Sequence, residues 1–532
     1  MKFTKIAVAC SLAVAAMSAQ AVTVPGAASA TIIYMSGASA PDNFLSSVVT
    51  TMFTGTVTSV TDGTTNYRAF IGTAAPGMPG AGTTIALIKR SAGGSAFGVD
   101  PVAKGQAIKW LNITSANCTA VTATSYTCPV EGTDPVGATN GTGRVPDFGV
   151  SDVEPAMFKA PYNVENGNAQ LTTGQLANLV NLPVNQVMIG IVATNAVAAD
   201  TYLSRSQYGA ALAGKLGDWS QIDGSTDTMV VCRRVNGSGT QASYNWLFSG
   251  FPCNAASGGY LSNVPVRVTD SAGYSVPAGA GAGTVANPFI VDPSQGLTIV
   301  ENSGSGDVRN CLSAAYYGVD HIVQGDTGKF YKVKFSSVAG TPVSANVVAT
   351  GTGVPALATR GGPSKAIGVL SLDSYNNANS AFAYKPLQTN NTTPYTYTFT
   401  DTSASPLSAS GWSFRMLDGA GVFNGATQLV TAGPGTGMAP SKANLVEGKY
   451  DFVVELSMNR PATLTSGVKF DFFNTLRAKL GSTTYTGPGI TSTPNAFATL
   501  PTIESYDANP SLVSKYSREG NTCAPLVNFP SL

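Results

Sequence analysis

The stretch that decides the fold reads Met229-Val230-Val231-Cys232-Arg233-Arg234-Val235-Asn236-Gly237-Ser238-Gly239-Thr240 and continues into Gln241-Ala242-Ser243-Tyr244-Asn245-Trp246-Leu247-Phe248. Its first residues are apolar and β-branched, which is typical of a buried strand. The glycines and hydroxyl residues that follow predict a loop, and Ala242, Trp246 and Leu247 then recur at helical spacing. The stretch therefore predicts a strand, a loop and the start of a helix.

The loop of this stretch has the chemistry of an anion site. A helix start leaves about four backbone N–H groups without internal partners, and the helix dipole adds roughly half a positive charge there. Arg234 would supply a full charge and a planar fork of donors. Gly237 and Gly239 would let the backbone approach a small ligand, and Ser238 and Thr240 would add hydroxyl donors that can also cap the helix. An ordinary capped helix after a turn accounts for the same residues equally well, so the rest of the chain must decide.

A strand followed by a glycine loop also occurs twice earlier in the chain. The apolar run 30–35 leads into residues 36–44 and a predicted helix, whose apolar face is formed by Phe44, Leu45 and Val48. The apolar run 84–89 leads into the loop of residues 90–96. Strands that alternate with helices across residues 30–250 indicate an α/β architecture. The 532 residues exceed a single typical core, so we expect two lobes or two domains.

The first residues have the pattern of an export signal. Lys2 and Lys5 precede the apolar run 6–17, and Ala19-Gln20-Ala21 fits a cleavage site. We therefore expect a signal peptide at residues 1–21. No later stretch approaches the length of a membrane span. The sequence predicts a periplasmic or secreted protein that does not span the membrane.

The charges and the single histidine argue against several classes of function. The formal net charge is +1, and it becomes −1 when Lys2 and Lys5 leave with the signal, so nothing predicts a nucleic-acid or anionic-membrane partner. His321 has no recognisable partner motif, which leaves no sequence basis for Ser-His-Asp or Cys-His catalysis or for a multi-histidine metal site. We expect neither an enzyme nor a cofactor.

Six cysteines remain once Cys10 leaves with the signal, and an even number in an exported chain favours disulfides. Six cysteines allow 15 pairings, and the sequence does not choose rigorously among them. Proximity and elimination suggest the pairs Cys118–Cys128, Cys232–Cys253 and Cys311–Cys523. The second of these pairs would tie the strand that carries Arg234 to the far end of the following helix.

Four ordered segments resemble the type 2 periplasmic solute-binding proteins, and among them the phosphate-binding subunit of phosphate import systems. Ser36-Gly37-Ala38-Ser39-Ala40-Pro41 is similar to the family's Gly-Ala-Gly-Ala-Thr-Phe-Pro loop, and Asp147-Phe148-Gly149-Val150-Ser151-Asp152 is similar to its Asp-Phe-Gly-Ala-Ser-Asp segment. Arg233-Arg234-Val235-Asn236-Gly237-Ser238-Gly239-Thr240 resembles Arg-Arg-x-Asp-Gly-Ser-Gly-Thr, and Ala366-Ile367-Gly368 resembles Ala-Ile-Gly-Tyr. The second and third segments are the specific ones.

The resemblance implies a two-lobed α/β fold that closes around its ligand by a hinge motion. The implied division is a signal peptide at 1–21, the first part of lobe I at 22–160, lobe II with insertions at 161–363, and the return of lobe I with a C-terminal extension at 364–532. The extra length predicts β-rich insertions near residues 104–144, 254–300 and 319–363.

Carried over by position, the resemblance also implies a phosphate site. Its predicted residues are Ser39, Ala40, Ser91, Asp152, Arg234, Ser238, Gly239 and Thr240. Ala92 stands where the family has a serine, so that Ser91 or Ser95 would supply that hydroxyl instead. At neutral pH hydrogen phosphate keeps a proton that sulfate lacks, and the acceptor-only carboxylate of Asp152 would therefore favour phosphate.

Two functions from different classes follow. The first is capture of inorganic phosphate in a cleft between lobes, with an ABC transporter permease as a partner implied by the resemblance alone. The alternative is an exported structural, surface or matrix protein that kept the fold and a degenerate anion site. The extra length, the low share of charged residues at 11% and Ala92 support the alternative. Measured phosphate binding separates the two.

Overall fold

The computed structural model describes residues 21–135, 141–165, 168–212, 214–254, 281–325, 329–350, 359–378, 380–384, 396–402, 407–486 and 494–529. Residues 1–20 of the predicted export signal and most of the predicted insertion at 254–300 lie outside this part of the chain. Helices and strands are mixed throughout the described residues, which confirms the predicted α/β class.

Twenty-seven strands occur in the described residues. Those before residue 200 are β1 (Ala21–Val22), β2 (Thr31–Gly37), β3 (Phe53–Thr61), β4 (Tyr67–Ala74), β5 (Thr84–Arg90), β6 (Trp110–Leu111), β7 (Cys118–Thr122), β8 (Ser125–Thr127), β9 (Val130–Glu131), β10 (Phe148–Ser151) and β11 (Leu179–Thr194). The next are β12 (Val230–Arg234), β13 (Phe289–Val291), β14 (Thr298–Asn302), β15 (His321–Gln324), β16 (Phe330–Val333), β17 (Ala345–Thr350) and β18 (Ala366–Ser371). The last are β19 (Phe382–Tyr384), β20 (Thr396–Asp401), β21 (Trp412–Arg415), β22 (Val422–Asn424), β23 (Leu429–Ala432), β24 (Val453–Pro461), β25 (Phe497–Thr499), β26 (Tyr516–Ser517) and β27 (Val527–Asn528).

The described α-helices are mostly short. They are α1 (Asp42–Thr50), α2 (Asp100–Lys104), α3 (Thr173–Ala177), α4 (Arg205–Leu212), α5 (Gly239–Ser249), α6 (Ser305–Tyr317), α7 (Tyr375–Ala378), α8 (Lys442–Val446), α9 (Val468–Gly481) and α10 (Thr483–Thr486). The apolar spacing predicted for α1 is observed, because Phe44, Leu45 and Val48 are buried on one side of it. None of the described helices has the length and apolar content that a membrane crossing requires.

One part of the sheet, which we call the first section, has the strand order β3-β4-β5-β2-β10-β24. Strands β5, β2 and β10 are parallel, with Ser36 paired to Arg90 and Gly37 paired to Val150. Their carboxyl ends therefore lie at one edge of the sheet. The loops that start at this edge are the segments 36–41, 91–98 and 151–154, which include three of the stretches singled out in the sequence.

A second section has the order β14-β12-β18-β11. Strands β14, β12 and β18 are parallel, and Arg234 at the end of β12 is paired with Asn302 at the end of β14. The chain again leaves the carboxyl ends of neighbouring parallel strands at one edge, where ligand sites of open α/β sheets form.

The sixteen residues of β11 join the two sections. The first part of β11 pairs with β24, and the last part pairs with β18 and β21. Strand β18, which begins at Ala366, lies between β12 and β11 in the second section. Strands β21, β22 and β23 follow β11 in that section, and the chain pairs with β10 again only at β24. The division into lobes at residues 22–160, 161–363 and 364–532 stays a prediction.

Two of the predicted insertions have local β-structure. In the segment 104–144, β7 and β8 form an antiparallel hairpin that a disulfide closes. In the segment 319–363, the alternating pattern of residues 330–335 indicates a strand. Strand β16 is observed there, between β13 and β15. These elements lie outside the parallel strands that define the two sections.

The six cysteines of the described residues form three disulfides. Cys118–Cys128 is confirmed, whereas the two other suggested pairs are wrong, because the observed bonds are Cys232–Cys311 and Cys253–Cys523. Helix α6 packs on β12, so the sulfur of Cys232 meets Cys311 on that helix. Cys253 lies beyond the end of α5, about 16 Å of helix away from the anion loop. There the C-terminal segment is close, with Arg518 over the ring of Trp246.

Peptide mapping without reduction should recover the pairs Cys118–Cys128, Cys232–Cys311 and Cys253–Cys523, and a Cys232–Cys253 peptide would contradict the observed arrangement.

The Cys253→Ser/Cys523→Ser variant should lose about 2–4 kcal/mol of unfolding free energy, because this bond closes a loop of 270 residues. The Cys118→Ser/Cys128→Ser variant is the matched control. It should lose less, since its cysteines are only 10 residues apart. Chemical denaturation of the three proteins measures both losses.

Candidate anion-binding site

Arg234 is the centre of the candidate site. It is the last residue of β12 and is 2% exposed. Its Nε donates to the carbonyl of Asn302 at 3.2 Å, and Nη2 donates to the carbonyl of Ser303 at 2.6 Å. Its Nη1 donates to the hydroxyls of Ser39 at 3.1 Å and Ser305 at 3.2 Å. The guanidinium therefore joins the loop after β2 to the loop after β14.

Three helix starts converge on this guanidinium. Ser39 precedes α1, Ser238 is the N-cap of α5, and Ser305 is the first residue of α6. The Ser39 and Ser305 hydroxyls are 3.0 Å apart, and the backbone N–H of Ser305 donates to Ser39 Oγ at 3.1 Å. Helix starts attract negative charge, and a buried cation beside them adds to the same field. The arrangement can therefore stabilise an anion.

Two glycines let the two sections approach each other here. A Cβ on Gly94, which has φ of +72°, would lie 2.9 Å from Arg234 Nη2 and 3.0 Å from the Cα of Ser238. A Cβ on Gly239 would lie 2.5 Å from Ser95 Oγ and 2.8 Å from the Cβ of Asp152. Larger residues would push the loops apart, so both positions depend on glycine.

Asp152 faces the start of α5 from the end of β10. Its side chain is buried, and Thr240 Oγ1 donates to Oδ2 at 3.0 Å. Its backbone N–H donates to Ser95 Oγ at 3.1 Å. The second carboxylate oxygen, Oδ1, is buried and forms no hydrogen bond of normal length and angle with a described residue, although the Ser95 hydroxyl is close enough to lower the pKa of the carboxyl. Burial raises the pKa of Asp152, and the charge of Arg234 and the hydroxyls of Thr240 and Ser95 oppose this shift.

Burial acts on Arg234 in the opposite direction. It lowers the pKa of the guanidinium, while the carboxylates of Asp152, Asp307 and Asp42 oppose the change. Because the pKa of an arginine is ordinarily above 12, the group keeps its charge at neutral pH. Arg234 is thus a buried cation at neutral pH, and Asp152 is the buried carboxylate with the largest opposing effect on its pKa.

The structure brings together six of the eight predicted site residues. They are Ser39, Asp152, Arg234, Ser238, Gly239 and Thr240. Ala40 is adjacent and buried, and its carbonyl accepts from Ser371 Oγ at 2.8 Å. Contact of any of these residues with a ligand stays a prediction.

Ser91 lies away from this group. Its hydroxyl accepts from Lys89 Nζ at 2.9 Å and donates to Asp42 Oδ1 at 3.0 Å, so its proton and a lone pair are both committed. Ser95 lies beside Asp152 and Gly239 instead. Of the two serines that could replace the missing hydroxyl at Ala92, the geometry favours Ser95.

Sequence reasoning did not assign the loop after β14 to the site. Ser303 and Ser305 both bond to Arg234, and Asp307 accepts from the N–H of Gly304 at 2.9 Å, which fixes the start of α6. The segment 303–306 reads Ser-Gly-Ser-Gly after an apolar strand and before a helix, which is the same signal as in the other loops. Position along the chain gave no reason to place it opposite Ser39. Within the described residues, no group of three or more His, Cys, Asp or Glu side chains is arranged to hold a metal ion.

No protein-family model matches the sequence, and no curated protein matches it either. The chain is similar in structure to a substrate-binding protein of Clostridium perfringens, which is assigned to a phosphate ABC transporter and was determined with bound phosphate. The identity is 10%, the match covers 84% of this chain and 92% of that protein, and the TM-score is 0.35. It is also similar to the ancestral soluble variant of the human phosphate binding protein. The identity is 14%, the match covers 88% of this chain and 90% of that protein, and the TM-score is 0.31. PstS from Borrelia burgdorferi is similar at 10% identity, over 84% of this chain and 92% of that protein, with a TM-score of 0.28. At these TM-scores the likenesses carry no argument about the ligand of this chain.

The Asp152→Asn variant should be more stable than the wild type at pH 7 in phosphate-free buffer, by about 1–3 kcal/mol, because it removes the charge from a buried oxygen without a donor. The raised pKa means that folding favours the neutral acid. The cost of the carboxylate is therefore absent below the ordinary pKa of 3.8 and grows as pH rises through the raised value. Denaturant unfolding from pH 4 to pH 8 measures the difference.

Asp147→Asn is the matched control for this comparison. Both oxygens of Asp147 have donors, the N–H of Tyr34 at 2.8 Å and Lys469 Nζ at 2.8 Å. This variant should lose stability at pH 7. A loss of the same size in Asp152→Asn would contradict the reading of Oδ1 as an unsatisfied acceptor.

Proposed function

We propose that this chain is an exported solute-binding protein that captures inorganic phosphate where the two sections meet. The observation that carries the proposal is the buried Oδ1 of Asp152, an acceptor without a donor. Leaving such an oxygen unpaired costs about 1–3 kcal/mol. The proton of hydrogen phosphate would supply the missing donor, and sulfate has no proton to give.

The groups around Asp152 supply the complementary charge. Arg234 and the starts of α1, α5 and α6 would balance the negative charge of the anion. The hydroxyls of Ser39, Ser305 and Ser238 can rotate. The bond between Ser39 and Ser305 uses one of their two protons, so Ser238 and one serine of that pair can turn a proton toward a ligand oxygen. A charge-assisted hydrogen bond contributes about 1.5–3 kcal/mol, and several of them would offset the dehydration of the anion.

Entry of a ligand requires the loops to separate. The N–H of Ala96 donates to the carbonyl of Gly237 at 2.8 Å, and the N–H of Gly93 donates to Ser303 Oγ at 2.9 Å. Both bonds join the first section to the second. A hinge motion along β11, which belongs to both sections, would open and close the site. Export through residues 1–21 and delivery to an ABC transporter permease are parts of the proposal that rest on the sequence pattern and the family resemblance.

One observation favours the alternative of a structural, surface or matrix protein with a degenerate anion site. Arg234 already donates four hydrogen bonds to protein oxygens. A guanidinium satisfied in this way could fasten the two sections without a ligand. Binding measurements separate the two functions, because only the first requires a tight phosphate complex.

Isothermal titration calorimetry of the wild type should give micromolar or tighter phosphate binding, which corresponds to about −8 kcal/mol or better. Sulfate should bind roughly a hundredfold more weakly. Asp152→Asn should chiefly reduce this discrimination, because an amide can turn its NH₂ group toward a bare oxygen. Asp147→Asn is the control and should keep it. Millimolar binding of both anions by the wild type would favour the structural alternative.

Arg234→Ala should weaken phosphate binding by several kcal/mol, since it removes the central charge and leaves ligand oxygens unpaired. Arg233→Ala is the matched control, because that neighbouring arginine is also buried but bonds to Asn236 Oδ1 at 2.6 Å and lies 3.7 Å from Glu301. Calorimetry on folded samples of both variants measures the effect. Equal losses in the two would argue against a direct role for Arg234.

A further inference from the structure

A second buried cation lies beneath the site. Lys89 is in β5, next to β2, and its side chain is 0% exposed. Its Nζ donates to the carbonyls of Gly37, Ala38 and Arg90, each at 3.0 Å, and to Ser91 Oγ at 2.9 Å. An ammonium group has three protons, so four acceptors saturate it.

Two of these acceptors are the carbonyls of the loop that carries Ser39. On its other side the loop is fixed by the N–H of Ala38, which donates to the carbonyl of Val150 at 2.8 Å. Gly37 has φ of +116°, and a Cβ there would lie 2.0 Å from the carbonyl oxygen of Val150. The loop is therefore held between β10 and Lys89, and Ser39 is the next residue along the chain.

The charged groups around Lys89 come from three elements. Asp42 in α1 lies 3.6 Å from Nζ through Oδ1, and its Oδ2 lies 3.6 Å from Arg68 Nη2 in β4. Asp152 after β10 attracts the ammonium, and Arg68 repels it. Burial is the largest influence and lowers the pKa of Lys89 to about 8. The charge that holds the loop is thus lost slightly above neutral pH.

We propose that Lys89 is a positioning residue for the anion site, which holds the carbonyls of Gly37 and Ala38 so that the Ser39 hydroxyl meets Arg234 and Ser305. This inference rests on the proposed function for its ligand, but the position of the loop is independent of it. Lys89 does not touch the ligand in this role. It acts through Ser39.

Lys89→Met removes the ammonium and keeps an unbranched side chain that is one heavy atom shorter. Phosphate affinity at pH 7 should fall tenfold or more in this variant. Lys442→Met is the matched control, because Lys442 is also a buried lysine whose Nζ donates to the carbonyls of Thr486 and Phe497, and burial lowers its pKa to about 7. This control should keep wild-type affinity.

The pH dependence distinguishes positioning from a loss of packing. The measured quantity is the ratio of the wild-type phosphate affinity to that of Lys89→Met at the same pH, in which the ionisation of phosphate cancels. This ratio should be greatest at pH 7. It should fall by up to about tenfold by pH 9, because Lys89 loses its proton in the ligand-free wild type. If Lys89→Met does not fold, Lys89→Arg replaces it as the reference, because an arginine keeps its charge at pH 9, and the wild-type affinity divided by that of Lys89→Arg should fall by up to about tenfold from pH 7 to pH 9.

Hydrogen exchange of the backbone tests the loop without a ligand. Peptides that cover residues 36–43 should exchange faster in Lys89→Met than in the wild type, and Lys442→Met should leave them unchanged. Unchanged exchange together with wild-type phosphate affinity would overturn the role of Lys89 and leave the phosphate site intact. Faster exchange in a protein whose wild type does not bind phosphate would support the positioning role and defeat the proposed function.

Discussion

Arg234 is a charged group held away from water, and the arrangement of the loops depends on satisfying it. Removing a cation from water costs several kcal/mol even after relaxation. The four hydrogen bonds that its guanidinium donates contribute about 1.5–3 kcal/mol each, which is enough to offset that cost. Their acceptors come from the loops after β2 and β14. A fold that failed to bring these loops together would leave the charge buried and unpaired.

The sheet topology makes this meeting possible. Parallel strands end at one edge, so β2, β5 and β10 deliver three loops to one place, and β12, β14 and β18 deliver three more. The long strand β11 pairs in both sections and connects the two edges. Short glycine loops let the backbones approach until hydrogen bonds such as Ala96 to Gly237 form. The site is therefore a consequence of strand order as much as of side-chain identity.

Charges within this region are paired to different degrees. Asp42 lies near two cations, Lys89 and Arg68, and also accepts from Ser91. Asp152 keeps one buried oxygen without a partner. An unsatisfied group of this kind lowers stability, and binding sites are where proteins commonly retain one. These two aspartates therefore differ in how completely their oxygens are satisfied.

The sequence by itself determined the α/β class and the strand, loop and helix start around Arg234, because these features depend on local spacing. The six predicted site residues that lie together came from the family resemblance of short motifs. Proximity along the chain also predicted the Cys118–Cys128 pair. Only the tertiary structure decided the other two disulfides and the membership of β18 and β21–β23 in the second section, and it placed Ser95 rather than Ser91 beside Asp152. It alone placed Ser303, Ser305 and Lys89 at the site. These features depend on which distant strands become neighbours, and hydrophobic periodicity does not encode the order of strands in a sheet.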